Sequence, residues 1–464
     1  MEAMAIYFGL LTLLMVAVVV RPASALAAVV LLFSLKQWTM AESLWFLAHR
    51  VLTNYAVAAI VGVGFIMALL KNRLNLGRYT TAGWATLGLF FLAFISYLWC
   101  VNQDDWITQW TLFGPYVLMI VLMLPLVIVK PNDLHDGLMA TLFFGVPVLL
   151  LLLFTVQFEG RGLRFVGMIY VNGQRGNGGN PLATSQMAGH ILLIAVLMRF
   201  TGIARFWQFM RWIVVALAIM LIVQSGSRGQ LIAAVASAVL LLPFSRHIRN
   251  VRGFFAIAVL LAVFGGICFW GYDKFAKGSR WSLDQSITDI ENGRIMPSMN
   301  VLGYWISHPG AIVFGLGNSS SFDVRVNAFF CEVQPADILG EEGLVGIGLW
   351  LIVVISCARA LNRLRRNPAV NQNPRIRAMA ATMFAMFLFE FILSWKEGSL
   401  LADPNVFAFA IIFCRFEWAL RQSPQYAGEQ LPGSSMLEQD YYYGANGQPG
   451  EYECQTLSNS SPFA

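Results

Sequence analysis

Trp212 to Leu242 reads WIVVALAIMLIV-QSGSRGQ-LIAAVASAVLLL, two apolar runs separated by a polar turn that holds Arg228. Neither run alternates in polarity, as a membrane-crossing strand in a closed barrel would, so both are helices. The pattern recurs along the whole chain. Of 464 residues, 58% are hydrophobic and 12% charged, with a mean hydropathy of +0.64. Soluble domains carry ~25% charged residues. This excludes a soluble dinucleotide-binding, barrel or nucleic-acid-binding enzyme and predicts an all-α polytopic integral membrane protein. The apolar runs from Ala3–Val20 to Val406–Leu420 amount to about 12 or 13 crossings. Ala3–Val20 lacks a basic leader and a small-residue cleavage site, so it reads as a retained helix.

The net charge of +6 sits largely in short loops, where it sets topology rather than recruiting an acidic partner. Four clusters belong on the cytoplasmic side: Lys71, Arg73 and Arg78; Arg199, Arg205 and Arg211; Arg246, Arg249 and Arg252; and the six arginines from Arg359 to Arg377. Val101–Trp110, with Asp104 and Asp105, becomes an external turn. The membrane domain is then residues 1–421, with large external loops at 157–186 and 271–336. Residues 422–464, rich in Gly, Ser, Gln and Tyr, form a disordered cytoplasmic tail. The second loop is too long for a connector and carries Trp281, Ile287, Val301, Leu302 and Trp305, so it is expected to fold as a cap. Six cysteines show no metal-ligand spacing; Cys100 and Cys331 could pair if both face an oxidising compartment, a matter of distance. No internal repeat supports a two-fold transporter architecture.

Three segments could carry chemistry on the external face. Gln224–Gln230 offers the Arg228 guanidinium, the Ser225 and Ser227 hydroxyls and glycine amides at a helix start, a donor set suited to phosphate. The competing account is a tight helix–helix turn whose arginine snorkels to headgroups. Arg161–Arg164 and Gln174–Pro181 place Arg164 and Arg175 in a Gly- and Asn-rich stretch leading into a helix; by composition alone this is a flexible loop. Cys331–Gly346 gathers Glu332, Asp337, Glu341 and Glu342 where the chain returns to the membrane. Asp337 or Glu332 could act as general base, and Glu341 and Glu342 read as N-terminal charges that balance a helix dipole. Glu390 and the Arg415/Glu417 pair are ionisable residues within apolar helices; Glu390 is expected to pair with Lys396 or a cap residue.

Together these segments resemble the O-antigen ligase/polymerase superfamily, the Wzy-C-like group of bacterial inner-membrane proteins. The matching residues are Ser225-Gly226-Ser227-Arg228-Gly229, His308-Pro309-Gly310, Gly315-Leu316-Gly317 and Pro335-Ala336-Asp337 through Gly346, with the Asn180-Pro181 helix start upstream. The resemblance covers about Arg161 to Val354. It implies a GT-C-like, multi-pass, metal-independent glycosyltransferase of the cell inner membrane with no cofactor. Its partners would be an undecaprenyl-diphosphate-linked glycan donor, a glycan acceptor and other polysaccharide assembly proteins, with no nucleic acid. Arg228 would bind the diphosphate, with Arg164 or Arg175 as second ligand. Ligases of this group carry a histidine where this chain has Ala336. The departure favours polymerisation of repeat units in O-antigen or exopolysaccharide biosynthesis over ligation, with Asp337, Glu332 or His308 accepting the proton. Transport of lipid-linked sugars is the alternative from another class.

Overall fold

In the computed structural model, the described residues are 2–49, 51–71, 79–155, 158–159, 164–171, 174–179, 181–200, 205–246, 295–328, 331–396 and 398–422, with isolated positions between 255 and 266. The apolar runs form α1 (Glu2–Val20), α2 (Ala25–Glu42), α3 (Val51–Leu70), α4 (Thr81–Ile95), α5 (Gln103–Leu118) and α6 (Pro131–Thr155). They continue as α7 (Pro181–Leu197), α8 (Arg205–Gln224) and α9 (Arg228–Arg246). The external segment contributes α10 (Met296–Ile306), followed by α11 (Gln334–Arg366), α12 (Pro374–Ser394) and α13 (Asn405–Gln422). Among the described residues, nine helices are long and apolar enough to cross a membrane, and Leu182–Leu197 and Gln208–Gln224 are shorter apolar helices. The chain is a multi-pass helical membrane protein. The expected run Phe254–Trp270, most of the cap before residue 295 and the tail beyond 422 lie outside the described residues.

The bundle is wrapped around α2 and α12, whose apolar windows are 89% and 83% buried, whereas α1 at 17% lies on the rim. Phe389, Phe407, Phe409 and Phe413 fill the centre. Large apolar side chains left exposed on the outer helices, such as Phe91, Phe143 and Phe154, suit a lipid-facing surface. Lipid supplies no hydrogen bonds, so backbone breaks must be met internally. Pro115 removes an amide from α5, and the carbonyl one turn back, on Thr111, accepts from the Tyr55 hydroxyl at 3.3 Å. Next to it, Leu112 O accepts from Asn54 Nδ2, while Asn54 Oδ1 accepts from the buried Lys36 Nζ at 2.8 Å. The π-helical turn Met119–Met123 that follows is held by Tyr79, whose hydroxyl donates to Leu122 O at 2.9 Å.

Cations mark one end of the bundle. Arg246, at the end of α9, donates to the carbonyls of Val196 and Met198 at the end of α7, with Arg199 and Arg211 close by. Arg377 donates to Ser245 O and Asn371 O, Arg21 pairs with Asp136 at 3.0 Å, and Lys71 Nζ donates to Val19 O and Val20 O. Each cation covers backbone carbonyls that a helix end leaves unsatisfied or a carboxylate beside them. The turn between α1 and α2 lies at this end, so α1 starts at the other. A helix of α9's length spans about 28 Å, close to the hydrocarbon thickness, which carries Arg228 to the opposite end.

One expectation about the external segments changes. The Gly-rich loop is a three-stranded antiparallel sheet, β1 (Phe158–Glu159), β2 (Arg164–Val171) and β3 (Gln174–Gly179), lying against α2. Its long β2–β3 pairing satisfies backbone groups that a loose loop would leave to water. Cys100 and Cys331 are both free: the first thiol lies 3.2 Å from both Asn102 O and Asn318 O, and the second lies 3.3 Å from Ser298 Oγ. The described part of the cap is folded, as expected, around Val301, Trp305, Leu316, Val326 and Cys331.

Candidate functional site

At the end opposite the cations, α11 is broken. As one 33-residue helix it would run about 50 Å, too long for a ~30 Å core. Gly343 adopts φ +67°, ψ −161°, a conformation open to glycine, and divides it into Gln334–Glu342 and a spanning part about 34 Å long. The break is also a contact. A Cβ on Gly343 would fall 2.4 Å from Val313 O, and one on Gly315 (φ +77°) only 2.1 Å from Glu341 O. Leu316 N donates to Gly340 O at 3.0 Å and Gly317 N to Glu341 O at 2.9 Å. The sequence motifs Gly315-Leu316-Gly317 and Gly340-Glu341-Glu342-Gly343 are therefore two halves of one backbone joint.

Glu341 locks that joint. Its Oε2 accepts from Ser319 N at 2.8 Å and Asn318 Nδ2 at 3.2 Å; its Oε1 accepts from Ser321 N at 3.0 Å and Ser321 Oγ at 2.7 Å. The residue is 3% exposed. Its role is structural, as the sequence suggests, but through a serine loop it organises rather than through a helix dipole; it stands at the end of its helical segment, where dipole balance would disfavour a carboxylate. Asn318 ties the joint to the membrane helices, with its amide donating to Ser96 Oγ and its Oδ1 accepting from Trp110 Nε1.

Asp337 and Glu342 are buried in the same segment. Asp337 Oδ2 accepts from Leu400 N at 3.4 Å, while its Oδ1 and both oxygens of Glu342 have no hydrogen-bond partner among the described residues. A buried carboxylate in that state is costly and suits a group that handles protons or ligand. The loop supplying Leu400 also accepts from Gln334 Nε2 at the carbonyls of Ser399 and Asp403.

That same loop brings in a cation. Lys396 Nζ donates to Gln230 Oε1 at 3.1 Å, and a Cβ on Gly229 would lie 2.5 Å from Lys396 Cδ. Gly229 therefore lets the lysine stem cross the start of α9 beside Arg228. Arg228 is half-buried, its amide closing a turn onto Gly226 O, with Gly226 at φ +69°. Ser225 and Ser227 are both buried; Ser225 Oγ donates to Ile222 O at 2.7 Å and finishes α8, while Ser227 Oγ has no partner among the described residues. Lys396 thus lies against the Arg228 turn, and Leu400 against Asp337.

The remaining expected residues lie around this centre or apart from it. Glu332 is half-buried just before α11. His308 sits exposed at the end of α10, stacked on Tyr304 with centroids 4.3 Å apart, and its Nδ1 bonds are local, to Tyr304 O and Ser307 Oγ. Arg164 and Arg175 fall in β2 and β3, opposite Glu159 and Tyr170 respectively; their side chains lie outside the described residues. Ala336 packs against the apolar cluster of the cap. Glu390, on α12, is fully buried, accepting from Gln186 Nε2 at 2.6 Å and sharing a short bond with His190 Nε2. Neither Gln186 nor His190 was singled out in the sequence, because neither belongs to a motif and their meeting with Glu390 joins residues about 200 positions apart.

No family model matches the chain, and no curated protein matches it in sequence.

Proposed function

We propose that the protein is a GT-C-like inner-membrane polysaccharide polymerase that extends lipid-linked oligosaccharides at the periplasmic face, using an undecaprenyl-diphosphate glycan as donor. The observation that carries this reading is that Lys396 crosses Gly229, the residue after Arg228, while the nearby Leu400 amide meets Asp337, at the end of the bundle away from the cationic loops. Two cations from distant parts of the chain suit a diphosphate, which bears more charge than one arginine balances. In the reaction, an acceptor hydroxyl oxygen bonds to the anomeric carbon as the bond from that carbon to the phosphate oxygen breaks. The hydroxyl proton passes to a carboxylate, with Asp337 Oδ1 the candidate, and the lipid diphosphate leaves with the electron pair. Arg228 and Lys396 stabilise the charge on that leaving oxygen, where low dielectric makes fixed donors most effective. Tethering both substrates to one membrane supplies proximity, and a single displacement inverts the anomeric centre.

The test is turnover of a defined undecaprenyl-diphosphate oligosaccharide by purified protein. Wild type is expected to convert single units into a ladder, and Arg228→Ala to lose at least ~10-fold in rate, the scale of one charge-assisted hydrogen bond. Full activity of Arg228→Ala would sink the proposal. A carrier is favoured by one observation, the buried His190–Glu390–Gln186 cluster, since ionisable groups inside a bundle are frequent in transport paths. A carrier would alter the sidedness of the substrate and leave its length unchanged. A ligase would move the glycan once, onto a separate acceptor lipid, and give no ladder.

A further inference from the structure

At the cation-rich end, far from Arg228, a cleft of about 290 Å³ opens where the start of α4 meets the final turns of α11 and α13. Arg359 and Arg363 line it from α11, and Glu417, Trp418 and Arg421 from α13. Each set recurs at three or four residues, so each presents one helical face. The charge is unbalanced. Glu417, 2% exposed, accepts from Arg363 Nε at 3.0 Å and forms an ion pair with Arg421 Nε at 2.7 Å, so one carboxylate is shared by two guanidiniums. Both arginines stay about half exposed, at 47% and 49%. Arg359 has no carboxylate partner among the described residues. The cleft therefore carries an excess of two positive charges.

The third wall adds to this. Thr80 caps α4, accepting from Gly83 N, and the first amides of the helix point out of its N-terminus, where partial positive charge collects. Below the cleft the surface is apolar: Ile352, one turn before the cleft-lining Ser356 on α11, is 42% exposed, and Trp84 on α4 is 61% exposed. A cationic notch above a lipid-facing apolar strip matches a molecule with a phosphate head and acyl tails. Trp418 belongs at that boundary, since tryptophan favours the interface between headgroups and hydrocarbon.

We propose that this cleft binds the phosphate of an anionic glycerophospholipid in the cytoplasmic leaflet, independently of the catalytic reading above. Arg359 and the outer edges of Arg363 and Arg421 hold the phosphate oxygens. Glu417 fixes the two flanking guanidiniums, and the acyl chains lie along Ile352 and Trp84.

The experiment uses full-length protein reconstituted into nanodiscs of equimolar phosphatidylglycerol and phosphatidylcholine, with retained lipids counted by native mass spectrometry. Wild type is expected to keep one phosphatidylglycerol more than Arg359→Gln/Arg421→Gln, with retention about tenfold higher, while Arg366→Gln, outside the cleft, matches wild type. Inorganic phosphate at millimolar concentration should not displace that lipid. Displacement would assign the cleft to free phosphate and overturn the lipid proposal, and equal retention by wild type and the double variant would overturn the site altogether. If the double variant fails to insert, Arg359→Gln alone, which breaks no ion pair, gives the same readout.

Discussion

Asp337 and Lys396 show how little of a residue's role its neighbours in sequence reveal. Asp337 was visible as one of four clustered carboxylates, but what separates it from Glu341 is bonding: Glu341 is fully satisfied by the serine loop, whereas Asp337 keeps one oxygen without a partner among the described residues. Asp337→Asn is therefore expected to lower turnover by ~10²–10⁴-fold, the range for a lost general base, with binding of the lipid-diphosphate donor unchanged; equal loss of both would assign the residue to structure instead. Glu341→Gln keeps the shape but gives up the charge-assisted bonds, and should lower thermal stability by about 1–3 kcal/mol, read by melting in detergent. Lys396 was legible as a charge near Glu390, yet its path over Gly229 was not, because that contact joins residues far apart in the chain. Lys396→Ala should weaken donor binding about as much as Arg228→Ala, measured as KM in the ladder assay.

At the scale of elements, twelve of the expected apolar runs coincide with helices, since unbroken apolar length is the strongest signal a membrane chain carries. The sheet β1–β3 was not legible: β3 is rich in glycine and asparagine, which ordinarily mark turns, and so offered no evident partner to the apolar β2. Nor was the joint between the two glycine motifs, where Gly315, Gly317 and Gly343 clear space for another segment's backbone. Gly343→Ala places a Cβ at φ +67° and against Val313 O, and is expected to cost about 2–5 kcal/mol, seen as a lower melting temperature and loss of the cap's protection from protease. The cap has its own pH limit. Hydrogen bonds from Arg325 hold the Asp323 carboxyl below its ordinary range, and Arg325 also donates to Val101 O. A depressed carboxyl lends stability that is present above the unfolded pKa, about 4, and disappears as pH falls through the lower folded value. Proteolysis of residues 295–328 should accordingly rise only in acid, whereas Asp323→Asn should show the rise at neutral pH.

Across the whole molecule, opposite ends of the bundle carry opposite chemistry: arginines over helix carbonyls at one, buried carboxylates with a small cationic pair at the other. The cationic loops made this polarity legible from the start, while the packing of rim helix α1 against buried α2 depended on contacts that composition does not encode. Single cysteines introduced at Ser307 and Arg365 in a cysteine-free background should label from opposite sides of sealed vesicles; labelling from the same side would undo the topology. The junction of Arg228, Asp337 and Lys396 also has a consequence for biosynthesis. Ribosomes add roughly 5–20 residues per second, and 168 residues separate Arg228 from Lys396. Half-made chains already inserted by the translocon thus lack one cation for roughly 10–30 s. If Arg228 and Lys396 hold the donor as proposed, truncated products that reach the bilayer are expected to be inert toward it, with competence arriving only when the final hairpin, α12 with α13, docks beside α9.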